Sequence, residues 1–563
     1  MKVKLQIVIF AFFLVGMASL FRYCSGPFYF GNNNDPSYFY LFNFLYILEG
    51  KSPQFVDHPG TTLDMLGALV VKIFFAPLPN TPWLQTYAPR AEQLLGVVWF
   101  LMVISYAASL MALGFYAFKK SQDRVFTGLI LLSSLWLVMV RSFNGEKILP
   151  ISANVNSDTM MMTAVNLMLL AVLCHYFSPK IREHSQAACL GAAVAFAMAT
   201  KFTALPFFVV ALCILETWPQ RILMGTVAAG GFVLLTCPIW GSYPHMIFWV
   251  KGLVLARGMH GHGGEGFDAG RYFQALVGTI KSYWFFVAGW LLAGMVSVLV
   301  PKPQIGPKIS RVLLAVALGG LVQVIIMAKQ TSYQYMAPMI GLSSLGLAFL
   351  YKAFPDWWHR GLKYVVIAIG MVSLGMMAVD LWQVNEETNK TRAMLNTIAN
   401  DYPQCRVCPF YRSSTPGFGF VFWDRVLGRE DYSSILKTYY PDLVYYDIFG
   451  GDFKDSAQQI VPLALLKQQS PCVLIYGSDE DPKDFEPGLT VNKIYTNAGP
   501  EALYEVISQR SNRAQEFFQF AMVLYSQGRY EDALKAALAS QQLGLGKDIS
   551  ALIGLLKQKV QTH

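Results

Sequence analysis

The sequence predicts an α-helical polytopic membrane protein of about eleven transmembrane helices, ending in an exoplasmic soluble domain that is part α/β and part helical. Two observations of composition and one of patterning predict it. Of 563 residues, 54% are hydrophobic and 14% are charged, where a soluble domain carries about 25% charged residues. Over this length the shortfall is too large for one buried core, so lipid must solvate much of the surface. Apolar runs near the ~20 residues that a membrane helix needs lie at Leu5–Leu20, Leu94–Phe118, Val125–Val140, Thr159–Phe177 and Val365–Val379. Residues 383–563 are polar with mixed charge, and read as a water-soluble region.

Charge placement orients the chain. Lys2 and Lys4 precede the first apolar run and put the N-terminus in the cytoplasm. That run resembles a signal peptide with a cleavage site at Gly16-Met17-Ala18. An uncleaved first helix is expected instead, because the polar loop behind it needs a nearby anchor. Short basic loops recur at Lys119–Arg124, Lys180–Arg182, Arg221, Lys302–Arg311 and Lys352–Lys363. With these inside, Arg22–Ala91, Arg141–Asn156, Pro238–Lys281 and Lys329–Tyr333 lie outside, and a tight turn joins two helices around Lys201. Residues 383–563 then fall outside as well. The formal net charge of +9 belongs to this positive-inside pattern and not to nucleic-acid binding.

The first outer loop, residues 23–91, is too long for a turn. It holds two amphipathic stretches, Tyr38–Leu48 and Thr62–Phe75, suited to the membrane interface. Asp35 stands just before Pro36, where it can cap a helix beginning at that proline. A carboxylate at the membrane surface can equally serve as a general base. Asp57-His58-Pro59-Gly60 forms a turn, and the two acidic turns bracket one amphipathic helix, which makes Asp57 and His58 candidate substrate contacts.

Further candidates follow along the chain. Asp158 opens an apolar helix and reads as an N-cap or first-turn acid. Lys201 sits in a small-residue apolar run, where a cation is costly and usually functional, as the partner of a phosphate or carboxylate. The segment Arg257–Tyr272 is rich in glycine. Its Arg257, His260 and His262 suit substrate or phosphate contact, and the two histidines with nearby acids can ligate a divalent metal. Near Lys329, Tyr333 and Tyr335 fit an interfacial aromatic belt and are candidate substrate or phosphate contacts, and Lys329 beside a helix N-terminus can hold an anion.

Taken in order, Asp35, Asp57-His58-Pro59-Gly60, Asp158, Thr200-Lys201 and Lys329–Pro338 resemble the motif series of the multi-spanning GT-C glycosyltransferases, including the protein O-mannosyltransferase and lipid A aminoarabinose transferase group. The match spans roughly residues 1–380 and departs from the paired acids of many relatives, since Asn34 precedes Asp35. The resemblance implies a GT-C-like membrane domain over 1–382 in a bacterial inner membrane. It implies transfer of a sugar, with inversion, from a polyprenyl-phosphate donor to a hydroxyl of a lipid, glycan or protein on the outer face. Asp35 and Asp158 then become catalytic candidates. Lys201, Arg257, Arg271 and Lys329 become the cations around the departing phosphate. A divalent metal is a possible cofactor, with no ligand set assigned.

Behind the membrane domain, residues 383–508 read as a small α/β domain. Apolar runs at Cys405–Tyr411, Phe418–Trp423, Asp442–Ile448 and Cys472–Tyr476 alternate with helical patterns at Ser433–Tyr439 and Ala457–Gln468. Residues 509–563 hold one tetratricopeptide-like helical hairpin around Ala514–Ala536. Cys174, Cys189, Cys213 and Cys237 suit small core positions. Cys405-Arg-Val-Cys408 lacks a second ligand pair for zinc, and a disulfide is the alternative in an oxidising compartment. Two rival functions stay open: a transporter or flippase of lipid-linked sugars, and an O-antigen-type polymerase or ligase.

Overall fold

The computed structural model describes residues 2–56, 59–75, 83–139, 151–177, 183–255, 268–329, 333–354, 356–426, 432–448, 451–485, 489–496, 499–509, 518, 521–522, 524–525, 530–542 and 547–562. The chain divides into two compact units. The first comprises Met1–Phe28 with Asn33–Thr388, the second Tyr29–Asn32 with Asn389–His563.

The first unit is helical, and two of its helices run over the division: α2 begins, and α18 ends, in residues counted with the second unit. Its chain runs through α1 (Lys2–Cys24), α2 (Gly31–Leu48), α3 (Thr61–Phe74), α4 (Trp83–Tyr87), α5 (Ala91–Ser121), α6 (Arg124–Leu131) and α7 (Ser133–Met139). It continues through α8 (Ser157–Phe177), α9 (Glu183–Thr200), α10 (Leu205–Ile214), α11 (Trp218–Leu235), α12 (Tyr243–Leu255), α13 (Ala269–Ser282) and α14 (Trp284–Leu299). The last elements are α15 (Lys302–Ile305), α16 (Pro307–Met327), α17 (Ala337–Ala353) and the 46-residue α18 (Asp356–Asp401). Among the described residues six helices are long and apolar enough to cross a membrane, or up to eight if each bent pair is one span. The expected eleven spans are not found among the described residues. The run Val125–Val140 breaks at Leu132 into α6 and α7. Two other expected crossings, α11 and α14, each adjoin a helix of the expected outer segment Pro238–Lys281 at a sharp bend, 78° between α11 and α12 and 87° between α13 and α14.

Small residues let these helices approach closely, as membrane packing requires. α9 lies against both α8 and α11. At Gly191 an added Cβ would stand 2.6 Å from the Met224 carbonyl oxygen, so the two backbones nearly touch. Gly320 of α16 likewise abuts the Trp290 ring of α14, where a Cβ would come within 2.4 Å. The Trp290 indole N–H donates to Ser343 Oγ of α17 at 2.8 Å, which ties three helices together. Large apolar side chains also face outward: Leu5, Ile9 and Phe12 on α1, Val298 and Leu299 on α14, Leu321 on α16. A helix apolar on both its packed and its outer face is a lipid-solvated helix.

The second unit carries a four-stranded sheet in the order β1 (Arg406–Pro409), β4 (Val473–Ser478), β6 (Glu501–Gln509), β5 (Leu489–Thr496). β1 runs parallel to β4, and the other pairs are antiparallel. A separate hairpin joins β2 (Val444–Asp447) and β3 (Asp452–Asp455). Helices α19 (Phe418–Val426), α20 (Ser433–Tyr439) and α21 (Leu463–Gln469) complete it. The aromatic run Phe418–Trp423 is therefore helix and not strand, while β5 and β6 form beyond the predicted strands. Met394, Leu395 and Ile398 from the end of α18 pack with Leu474, Tyr476 and Leu503 of the sheet. Cys405 and Cys472 form a disulfide one residue before β1 and β4, and Cys408 is free and buried. Farther on, Tyr530–Gln542 packs against Lys547–Thr562 around Ala533, Ala537, Ile553 and Leu556. Most of the first helix expected of the tetratricopeptide-like hairpin lies outside the described residues.

Candidate functional site

The break between α9 and α10 builds the site. Lys201 has extended backbone (φ −163°, ψ 135°), and a single 3-10 turn, Phe202–Ala204, leads into α10. Pro206 sits in the first turn of α10, where its missing N–H costs no helix bond. Lys201 is thus set at the end of α9, whose small residues let α8 and α11 approach closely. Its side chain is 1% exposed and its ammonium donates to both carboxylate oxygens of Asp158 at 2.7 Å. The same ammonium stands 4.4 Å from the centre of the Tyr335 ring, a cation–π contact in a desolvated setting. Gln323 of α16 donates to the Tyr335 carbonyl oxygen at 2.8 Å and holds that turn in place.

Asp158 occupies the first turn of α8 but does not cap it. Asn156 takes the cap, its Oδ1 accepting from the Thr159 N–H at 2.7 Å and the Thr159 hydroxyl at 2.9 Å. Of the two readings, N-cap or first-turn acid, the structure has the second, and the carboxylate is left for Lys201. The second turn of the first loop docks on the same helix end. Gly60 N–H donates to the Thr200 carbonyl, Thr61 Oγ1 donates to the Ala199 carbonyl at 3.1 Å, and Thr62 and Thr200 hydroxyls bond at 2.8 Å. Gly60 adopts φ 64°, a left-handed conformation that suits glycine.

A second buried acid, not singled out from the sequence, stands nearby. Asp64 on α3 is fully buried and accepts from Asn43 Nδ2 at 3.3 Å through both oxygens. Asn43 also bonds the Phe55 backbone, donating to its carbonyl at 2.8 Å. Tyr40, one turn before Asn43 on α2, bonds Ser157 and feels the fields of both Asp64 and Asp158. The available signal was Asp64 itself, an acid alone in the apolar stretch Thr62–Phe75. At the end of α1, Arg22 donates to the Ala153 carbonyl at 2.6 Å and to Asn154 Oδ1, and covers the Phe28 ring at 4.0 Å. Glu92 accepts there from the Phe28 N–H at 2.7 Å.

Of the predicted residues, Asp158, Lys201 and Tyr335 come together, with the turn before Thr62 beside them. Tyr335 is buried against Lys201, which replaces the aromatic-belt reading. Asp35 lies inside α2, which begins at Gly31, so it caps no helix at Pro36; its side chain is outside those described. Lys329 follows the C-terminal end of α16, eight residues before α17 begins, and so does not flank a helix N-terminus. Arg271 is exposed in the first turn of α13, where Asp268 caps its N–H at 3.0 Å, and makes no contact with the Asp158–Lys201 pair. Asp57, His58, Arg257, His260 and His262 lie outside the described residues, as does the Tyr333 side chain. Among the described residues no group of three or more His, Cys, Asp or Glu is arranged to hold a metal ion.

The sequence matches no family model, and it matches none of the curated proteins searched.

Proposed function

We propose that this chain is a glycosyltransferase that moves a sugar from a polyprenyl-phosphate donor to a hydroxyl of a lipid, glycan or protein on the outer membrane face, with inversion. One observation supports the reading above others. Motifs distant in sequence (the Pro59–Thr62 turn, Asp158, Thr200-Lys201 and Tyr335) meet in one buried polar cluster at helix ends. A purely structural bundle has little use for a buried Lys–Asp pair, because apolar packing of similar volume is as stable or more so.

In this reading the acceptor hydroxyl attacks the anomeric carbon as the bond from that carbon to the phosphate oxygen breaks. The electron pair leaves with the lipid phosphate, and the acceptor proton passes to a base, to which we assign Asp35. Charge grows on the phosphate, and a fixed cation lowers the cost of that growth. Lys201 suits this role, since Asp158 holds its ammonium in position and neutralises it until an anion arrives. Arg257, His260, His262, Arg271 and Lys329 remain the further candidates for phosphate contact, and Asp57 and His58 for substrate contact. An outer location of the second unit accords with its disulfide, since such bonds persist in oxidising compartments.

The test is label transfer in proteoliposomes supplied with a radiolabelled polyprenyl-phosphate sugar and acceptor lipid. The wild type should transfer label, and Asp35→Asn should lower transfer by about 100-fold or more. Full activity in that variant removes Asp35 from the role of base. Passage of label across the bilayer without transfer would instead identify a flippase.

A further inference from the structure

We infer that Gly31, Ser414 and Glu501 form a hydrogen-bonded catch, built within the second unit, that positions the segment leading to Asp35. The catalytic consequence rests on the proposed role of Asp35; the catch itself does not. The second unit includes the four residues Tyr29–Asn32, although the chain on either side of them belongs to the first. The Gly31 N–H donates to Ser414 Oγ at 2.8 Å. Ser414 in turn donates to Glu501 Oε1 at 2.6 Å, and the Tyr476 hydroxyl donates to Glu501 Oε2. Ser414 is 1% exposed and Glu501 3% exposed, so water does not compete for these bonds. The fit at Gly31 is steric as well. A Cβ there would stand 1.7 Å from the Arg412 carbonyl oxygen and 2.7 Å from Glu501 Oε1, so only glycine can be seated. Asp35 follows Gly31 by four residues along the same helix, about one turn. Whatever fixes Gly31 therefore fixes the beginning of the helix that carries Asp35.

The catch also has a pH dependence with a definite sign. Burial pushes the Glu501 carboxyl up to about 7, with the hydroxyls of Ser414 and Tyr476 opposing it in part. Tyr29 stands near Tyr476. Among the described residues no cation or second carboxylate acts on Glu501. If the catch opens and Glu501 meets water, its carboxyl returns to the ordinary value of 4.5. The closed form then binds more protons between those values. Closure is fully favoured below the lower one, weakens as pH rises through the interval, and levels off above the upper one.

Hydrogen exchange of the full chain in nanodiscs reads the catch independently of sugar transfer. Ser414→Ala should speed exchange in peptides covering residues 29–34 by about 10-fold or more, with residues 473–478 still protected. Ser414→Thr, which keeps the hydroxyl, should retain protection. After correction for intrinsic exchange, the rate over 29–34 in the wild type should climb between pH 5 and 7 and then flatten, and in Glu501→Gln it should stay level. Unchanged protection in Ser414→Ala, or a persisting pH course in Glu501→Gln, overturns the catch. If residues 473–478 also lose protection in Ser414→Ala, the threonine variant decides, and loss there too overturns it. In the transfer assay Ser414→Ala should lower kcat and leave the donor KM unchanged. A wild type that transfers nothing removes the proposed function, while the exchange result still decides the catch.

Discussion

At the scale of single residues, the Asp158–Lys201 pair makes the sharpest demand. Removing one member of a buried pair leaves an uncompensated charge and costs about 3–5 kcal/mol, whereas replacing both by apolar groups is often close to neutral. Lys201→Met should thus lower the unfolding midpoint of the detergent-solubilised protein strongly, and Asp158→Leu combined with Lys201→Met should recover much of the loss. A double variant as unstable as the single one would show that packing and not charge sets the cost. In the second unit, burial opposes ionisation of Asp447, yet Lys454 at 2.7 Å and Arg425 outweigh it and hold the carboxyl below its ordinary range. The stability this adds is present above the ordinary carboxylate value of about 4 and is lost as pH falls through the lower folded value. Acid unfolding of the second unit should therefore steepen below about pH 4 in the wild type, and Asp447→Asn should lose that acid dependence when followed by far-ultraviolet circular dichroism. The sequence marked Lys201 as costly because a cation stood in a small-residue run. It could not pair that cation with Asp158, 43 residues away, because a helix break and a capping asparagine decide where the two side chains meet. Asp64 escaped because its apolar surroundings read as one amphipathic face.

At the scale of elements, glycine contacts govern how closely helices approach. Gly191→Leu forces α9 away from the Met224 carbonyl of α11, and overpacking of this kind costs about 1–3 kcal/mol or more. A drop in thermal stability by fluorescence-detected size exclusion, larger for leucine than for alanine, is the expected result. The same spacing was only partly legible from the chain. Long apolar runs such as Thr159–Phe177 identified α8 directly, because a continuous run of that length has few alternatives. The run Val125–Val140 misled, since Ser133 and Ser134 sit where it breaks and hydropathy averages over them. Phe418–Trp423 looked like strand because a short aromatic run carries no reliable period. The strands β5 and β6 went unread because their side chains alternate weakly, although the two pair as a local antiparallel hairpin.

At the scale of the whole molecule, two units with different solvents share one chain. Composition announced this division, since charge is scarce before residue 383 and plentiful after it. The compact units part at Thr388 and Asn389, within the continuous helix α18, where no linker composition marks a boundary. Orientation is open to a direct test. Alkaline phosphatase fused after His563 should be active in bacterial cells if the second unit lies outside, and a cytoplasmic-folding reporter at the same place should be dark. The reverse pattern would invert the topology. Cys405→Ser with Cys472→Ser should cost the second unit about 2–5 kcal/mol, read as a lower denaturant midpoint for that unit alone.

The Cys405–Cys472 bridge also says something about how the protein comes into being. Its two sulfurs belong to positions 67 residues apart, each directly ahead of one strand of a parallel pair. Parallel strands far apart in sequence find each other slowly, so oxidation has to wait until Cys472 has been made and has met Cys405. The bond is consequently a timestamp. In a pulse-chase with thiol trapping, the interval before both cysteines resist alkylation measures when the sheet closes, and cells short of thiol oxidase should accumulate chains with an anchored membrane portion and an unfinished tail.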